Sequence, residues 1–255
     1  MDKKVLVHNF EDEDISDVLN LYEKYLLALE KDITIFSNRF YAPNIWTFFK
    51  KNFETKNFKI ENDGFFEESE RRMISFNNMY DIPFPYKVIR IENKSKFNKL
   101  SHKDYLGAIL SLGIKRNKIG DLLVKDNYCF VAVSEDIEDF ILGSLTTVGR
   151  VSCKVELLNE NIVIPSFQFK EDIILIQSLR IDSIVSKLTK LSRSKAQELI
   201  EEGKVLVDYN RVRDKSKEIE EGTRVTIRGI GKFIISNIVG NSKSGKVKVL
   251  VKKYT

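Results

Sequence analysis

The sequence has little of what builds disulfide-stapled or metal-centred proteins. Only two cysteines, Cys129 and Cys153, occur among 255 residues, far apart from each other. That excludes a disulfide framework and a cysteine-rich zinc knuckle, and both thiols read as small buried hydrophobes in strand-like context. There are two histidines, His8 and His102, and neither lies in a metal-ligand pattern. No HExxH, CxxC or GxSxG element is present, so the signatures of metalloproteases, dithiol redox proteins and serine hydrolases are missing. His8 reads as a packing or surface residue. No apolar run approaches the ~18 residues a membrane span needs. The start turns acidic after seven residues without a long apolar stretch, which argues against a secretory signal. The expectation is a cytoplasmic protein with no membrane partner, no metal and no cofactor.

What is present is charge, and its distribution is informative. The net +5 conceals four blocks: residues 1–86 carry net −5, 87–125 net +7, 126–178 net −6 and 179–255 net +9. At 42% hydrophobic and 31% charged residues the chain can bury a core and remain soluble. Its length suits one large or two to three small domains. Segregated positive blocks suggest surfaces that meet a polyanion.

The fold class expected is α+β, in three domains with a linker. Residues 1–82 read as an N-terminal α/β domain. Its first helix, 12–30, places Ile15, Val18, Leu19, Tyr22, Leu26 and Leu29 at helical spacing behind acids in the first turn. A second helix after Pro43 turns Ile45, Phe48, Phe49 and Phe53 to one side, with Trp46 as a further core residue, and Asn62-Asp63-Gly64 makes a turn. The Ile82–Tyr86 segment, with Pro83 and Pro85, marks a boundary because proline biases its neighbours to extended backbone.

Residues 83–160 alternate in another way. Strand-like Tyr86–Ile91, helical Ser101–Leu112, strands Ile119–Val124 and Tyr128–Val133, helical Ser134–Leu145 and strand Val148–Leu157 give β-α-β-β-α-β, the ferredoxin-like order shared with RNA-recognition motifs. Residues 161–178, with Pro165 and extended Asp172–Gln177, form a linker strand. Residues 179–255 open with helices Asp182–Thr189 and Ser192–Glu202, followed by strands Val205–Val207, Arg211–Arg213, Arg224–Ile227, Phe233–Val239 and Val247–Val251, an αα-β domain.

Gly240–Lys246 (GNSKSGK) matches the spacing of a phosphate-binding loop, GxxxxGK. The magnesium-holding Ser/Thr is absent, Val247 takes its place, and a strand follows where a helix is needed, so it reads as a basic hairpin loop. More specific is the start of the second C-terminal helix. Ser192, Arg193, Ser194 and Lys195 bring unsatisfied amides and two cations together, while Lys204, Arg211 and Arg213 lie on the adjacent hairpin. That combination suits phosphodiester oxygens of a folded RNA. In the middle domain Lys115, Arg116 and Lys118 sit in the loop that leaves the first helix, and His102, Lys103 and Asp104 lie at its opposite end. Asp121 reads as a structural ion-pair partner, and in residues 1–86 Arg71-Arg72 is the local exception to an acidic surface.

Two resemblances follow from these residues. Arg180-Ile181-Asp182, Ser192–Ala196, Ile200–Asp208 and Glu221-Gly222-Thr223 resemble the RNA-binding domain named after small-subunit ribosomal protein S-four, departing from its pattern at Asp208, Tyr209 and Thr223. Leu100–Val124 resembles the signature of YlmH-type bacterial proteins, with Lys103 in place of the usual Arg. Gly64-Phe65-Phe66 with Glu70-Arg71-Arg72, Thr34-Ile35-Phe36 before Pro43, and Val148-Gly149-Arg150 are further matches, the Thr34 element being the loosest.

The resemblance implies a non-catalytic, monomeric RNA-binding protein of the ribosome. It implies contact with large-subunit rRNA and P-site peptidyl-tRNA during quality control of stalled translation, beside an RqcH/NEMF-type tailing factor. The RNA-binding residues it points to are Arg180, Ser192, Arg193, Ser194, Lys195, Lys204, Arg211 and Arg213, with His102, Lys103, Lys115, Arg116 and Lys118 as a second contact. The alternative is an RNA-modifying enzyme of pseudouridine-synthase type, since such enzymes also carry S-four-type domains. They usually do so N-terminally, however, and use an RLDxxTxG aspartate that is not matched here. A tyrosyl-tRNA synthetase fragment fails for lack of HIGH- or KMSKS-like elements.

Overall fold

A computed structural model describes residues 6, 10, 12–95, 97–158, 167 and 169–254, with the backbone alone at 12–14. His8 and Pro165 lie outside the described residues. The chain divides into two compact units, Met1–Ser166 and Phe167–Thr255.

The first unit begins with α1 (Asp12–Lys31), β1 (Ile35–Phe36), α2 (Pro43–Phe53), β2 (Ile60–Asp63) and β3 (Met73–Phe76). The three strands form an antiparallel sheet in the order β1-β3-β2. Pro43 at the start of α2 costs no hydrogen bond there, and Ile45, Phe49 and Phe53 of that helix are buried. The core is aromatic: the Tyr25 ring stands 4.6 Å from Phe53, 5.4 Å from Phe58 and 5.9 Å from Phe76.

The inward face of α1 differs from the apolar stripe expected. Val18, Leu21, Tyr22 and Ala28 are buried, whereas Leu26 and Leu29 are 39% and 51% exposed. The small sheet, filled by phenylalanine rings, covers less of the helix than its apolar stripe spans.

The unit continues with β4 (Tyr86–Asn93), α3 (His102–Ser111), β5 (Ile119–Lys125), β6 (Tyr128–Ser134), α4 (Glu138–Ser144), β7 (Thr147–Val148) and β8 (Val151–Leu157). The sheet runs β5-β6-β4-β8-β7 and is antiparallel throughout, the ferredoxin-like arrangement with one short added strand. Gly149, at φ +60°, turns the chain between β7 and β8. Ile89, Ile91, Val131 and Val133 of the sheet pack with Tyr105, Ile109 and Ile141 of the helices. Cys129 is buried in this core, and burial pushes its thiol well above the ordinary range.

The second unit holds β9 (Phe169–Ile176), α5 (Ile181–Thr189), α6 (Arg193–Glu201), β10 (Val205–Val207), β11 (Asn210–Arg211), β12 (Arg224–Ile227), β13 (Gly231–Asn241) and β14 (Val247–Tyr254). Its antiparallel sheet runs β11-β10-β12-β13-β14-β9. The segment expected to be a linker strand is, in its described part, a member of this sheet. β9 pairs with β14 from Val247↔Ile176 to Tyr254↔Phe169 and buries Ile174 and Ile176 in the core. Those two alternating isoleucines have an apolar face to fill, so β9 is part of the fold. Arg213, expected on a strand, lies beyond β11, because Val212 turns into the core at 5% exposure.

Candidate nucleic-acid interface

The N-terminal turn of α6 is organised around Asp182, which is fully buried. Its carboxylate accepts from Arg180 (Nε and Nη2, both 3.3 Å), from Arg193 (Nε 3.0 Å, Nη2 3.2 Å to the other oxygen) and from Gln197 Nε2 at 3.0 Å. Burial alone would raise its carboxyl. The hydrogen bonds from Arg180, Gln197 and Arg193, with the charge of Arg193, outweigh it and hold the group below the ordinary carboxylate range. The two arginine side chains remain 37% and 52% exposed while Asp182 holds their guanidiniums.

Ser192 caps α6 by accepting from the Lys195 amide at 3.4 Å, and its Oγ stands 3.1 Å from Ser194 Oγ. Lys195 is exposed beside it. The helix start thus joins backbone amides, two hydroxyls and three cations, a donor set for anionic oxygen.

The hairpin cations form a second group. Lys204 ion-pairs with Glu202 at 2.7 Å, and Arg211 and Arg213 are exposed. Gly203, at φ +67°, takes the left-handed backbone that ends α6 before the hairpin. Asp208 and Tyr209, both at positive φ, make a two-residue turn that ordinarily favours Asn-Gly. Asp208 accepts from the Arg224 amide at 2.8 Å, so its carboxylate ties the turn to β12.

The first-unit candidates separate. His102 and Lys103 are exposed at the start of α3, where Ser101 donates from both N and Oγ to Asp104 at 2.7 Å. Lys115 is exposed beyond the other end, with about 15 Å of helix between them. Arg116 and Lys118, expected to hold RNA, turn inward instead. Arg116 donates to the carbonyls of Ile119 and Gly120, and burial with Arg71 nearby pushes its guanidinium down to about 10. Lys118 bonds the Asn38 carbonyl at 3.1 Å and ion-pairs with Asp136. Asp121, expected as an ion-pair partner, accepts instead from the backbone amides of Glu70 and Arg71, the latter at 3.0 Å. Burial lifts its carboxyl above the ordinary range.

Arg72 is equally committed. It donates to Ser69 O, Glu67 O and Asn62 Oδ1 and lies 5.2 Å over the Trp46 ring. Gly64 is required here, since a Cβ would stand 2.5 Å from the Arg71 carbonyl.

The ferredoxin-like sheet also departs from its topology's usual use, in which aromatic residues on the open face stack bases. Part of that face is core: Val88 and Ala132 pack with Phe40 and Met73, and Phe65, Phe84 and Tyr86 surround them. Further along, Arg90 lies 5.0 Å over the Tyr128 ring and pairs with Glu156. Sequence reasoning missed Asp182 and Gln197 as organisers of the arginines. The Arg180-Ile181-Asp182 spacing was the available signal. Among the described residues no group of three or more His, Cys, Asp or Glu could hold a metal, and no helix is long and apolar enough to cross a membrane.

Two family models match the chain: "Putative RNA-binding domain in YlmH" over residues 81–161 and "S4 domain" over residues 179–225. A curated relative, ribosome-associated protein quality control protein P2 of Bacillus subtilis (strain 168), is 30% identical over 193 residues, which is 73% of this chain and 74% of the relative. A solved structure described as cell division protein ylmH from Streptococcus pneumoniae is 22% identical and aligns with a TM-score of 0.48, over 59% of this chain and 93% of that one.

Proposed function

Given that the chain belongs to the YlmH family of RNA-binding proteins, we propose that it is a non-catalytic factor of ribosome-associated quality control that docks on large-subunit rRNA through its S4 domain. The observation that carries this reading is Asp182. A buried carboxylate holding Arg180 and Arg193 at the start of α6 presents two pre-positioned guanidiniums to phosphate. Preorganisation reduces the entropy lost on contact, and a guanidinium engages phosphate through a planar fork.

In this reading Ser192, Ser194 and Lys195 complete the first contact, and Lys204, Arg211 and Arg213 extend it along the hairpin. Of the first-unit candidates, His102, Lys103 and Lys115 are exposed and would approach P-site tRNA, while Arg116 and Lys118 hold the fold. An RqcH/NEMF-type tailing factor would act beside it on the stalled subunit, in the cytoplasm. The mechanism is positioning by charge and shape. For the pseudouridine-synthase alternative Asp182 offers no catalytic aspartate, because it is saturated by three cationic or amide side chains.

The test is sedimentation of the full-length protein with separated ribosomal subunits, wild type beside Arg193→Glu/Lys195→Glu. The expected result is cosedimentation with the large subunit, abolished in the double variant and weakened by salt with a log–log slope of ~0.7–0.9 per phosphate contact. Binding that ignores the variant, or none to either subunit, overturns the docking model.

A further inference from the structure

The sheet of the second unit has two faces, and its helices cover one. Val205, Val225, Ile227, Ile235, Val249, Val251 and Ile174 point to α5 and α6. By strand alternation the residues between them point the other way, and beside aliphatic Leu206, Ile234, Leu250 and Ile173 they include rings and cations. Tyr254 pairs with Phe169 across β14 and β9, with ring centroids 4.9 Å apart. Lys232 Nζ lies 5.0 Å from the Tyr209 ring centroid and 5.4 Å from that of Tyr254, and it donates to Tyr209 Oη at 3.2 Å. Lys252 Nζ stands 5.9 Å over Phe169. A second register row runs Arg224↔Ile234↔Lys252↔Glu171, with Lys252 and Glu171 ion-paired at 3.4 Å. Arg211 faces the same way, opposite Leu206 on the edge strand.

We propose that this outer face, Tyr209–Lys232–Tyr254–Phe169 with Lys252, is a second RNA-binding surface that stacks unpaired bases. It takes its ligand class from the RNA-binding reading but not its site, since the α6 start acts through phosphate and lies with the helices. Three half-exposed rings with lysines between them offer π-faces to bases and ammonium groups to the intervening phosphates, the pairing that single-stranded nucleic acid needs. Duplex bases are stacked on one another and cannot use such rings, so the ligand is single-stranded or looped. The contrast with the first unit is direct. There the corresponding sheet face is partly core and partly closed by the Arg90–Glu156 pair. Arg211 sits on the hairpin edge, where one RNA strand could pass from phosphate contacts to the aromatic row.

Tyr209→Gly tests this cleanly. Tyr209 sits at φ +69° in the two-residue turn, a position glycine adopts more readily, so the hairpin is retained while the ring is removed. Anisotropy with the full-length protein compares fluorescent oligoadenylate with an abasic strand of the same length. Wild type is expected to prefer the base-bearing strand by about fivefold or more. Tyr209→Gly and Phe169→Ala are expected to lose that preference, with Tyr209→Gly keeping its melting temperature and its Arg193-dependent cosedimentation. A preference unchanged in Tyr209→Gly, or no preference in wild type, overturns the stacking surface and leaves the docking site untouched. Loss of cosedimentation in Arg193→Glu/Lys195→Glu with the base preference intact supports two separate surfaces. If Tyr209→Gly alters capture of a ribosomal protein but not of RNA, the face is a protein contact and the proposal fails.

Discussion

Arg116 in the first unit and Arg193 in the second both come from short basic clusters near a carboxylate, and they end in opposite states. Arg116 is drawn under the loop, bonded to the Ile119 and Gly120 carbonyls, with its basicity lowered by burial. Arg193 is gripped by fully buried Asp182 and remains 52% exposed. The carboxylates explain the difference. Asp121 spends one oxygen, Oδ2, on the amides of both Glu70 and Arg71 and so fastens the two halves of the first unit together. Asp182 spends its oxygens on side chains, which fixes the direction in which cations point. A basic cluster stays open to an anionic ligand only where its counter-charge anchors the cation without covering it.

The comparison can be broken at the carboxylates. The largest effect is expected for Asp121→Leu, which leaves two partly buried amide donors without an acceptor and should cost the first unit about 3 kcal/mol. Thermal unfolding followed through Trp46 reads that loss, because Trp46 packs in the first unit and donates to Glu70 O at 2.9 Å. RNA affinity of the folded protein should not change. If affinity falls with stability, the two carboxylates do not have separate roles.

Next in size is Asp182→Ala, expected to destabilise the second unit by about 2 kcal/mol and to weaken RNA binding by about tenfold, since two guanidiniums lose their anchor. The same aspartate sets a pH window. Its folded pKa lies below the ordinary 3.8, so its contribution is complete above about pH 4 and is lost as pH falls through the folded value. The stability gap between wild type and Asp182→Ala should therefore narrow on acidification below pH ~4. A gap that widens there would show that burial, and not the arginines, controls this group.

The smallest effect sharpens the first-unit side. Lys115→Ala should weaken RNA binding slightly and lower the salt slope by ~0.7–0.9 if Lys115 touches one phosphate. Lys118→Ala should leave affinity and slope alone and lower stability by about 1 kcal/mol through its bonds to Asn38 and Asp136. Reversed roles in that pair would overturn the assignment of Lys118 to the fold.

Much of the architecture was legible because it rests on local pattern. The β-α-β-β-α-β order, the helix beginning at Ser192 and the GNSKSGK hairpin follow from alternation, capping chemistry and glycine placement. In that hairpin the Lys246 amide donates to Ser242 Oγ at 2.9 Å between two paired strands. What misled was periodicity without knowledge of the cover. The stripe on α1 counted Leu26 and Leu29 as core, although they stay 39% and 51% exposed while Val18, Leu21, Tyr22 and Ala28 are buried. Strand β9 read as a connector because its partner, β14, lies more than seventy residues away in sequence.

Within the candidate site, residue type alone could not separate Lys115 from Arg116 and Lys118, three cations within four positions. The order of the elements, the RNA-directed chemistry and the cations at the start of α6 were determined by the sequence itself, since spacing, capping and charge act over a few residues. Which cations face solvent, which sheet face stays open and which aspartate anchors rather than fastens were decided only by tertiary structure. Those outcomes depend on which distant carbonyl, carboxylate or ring arrives beside each side chain, and burial then makes the arrangement costly to undo.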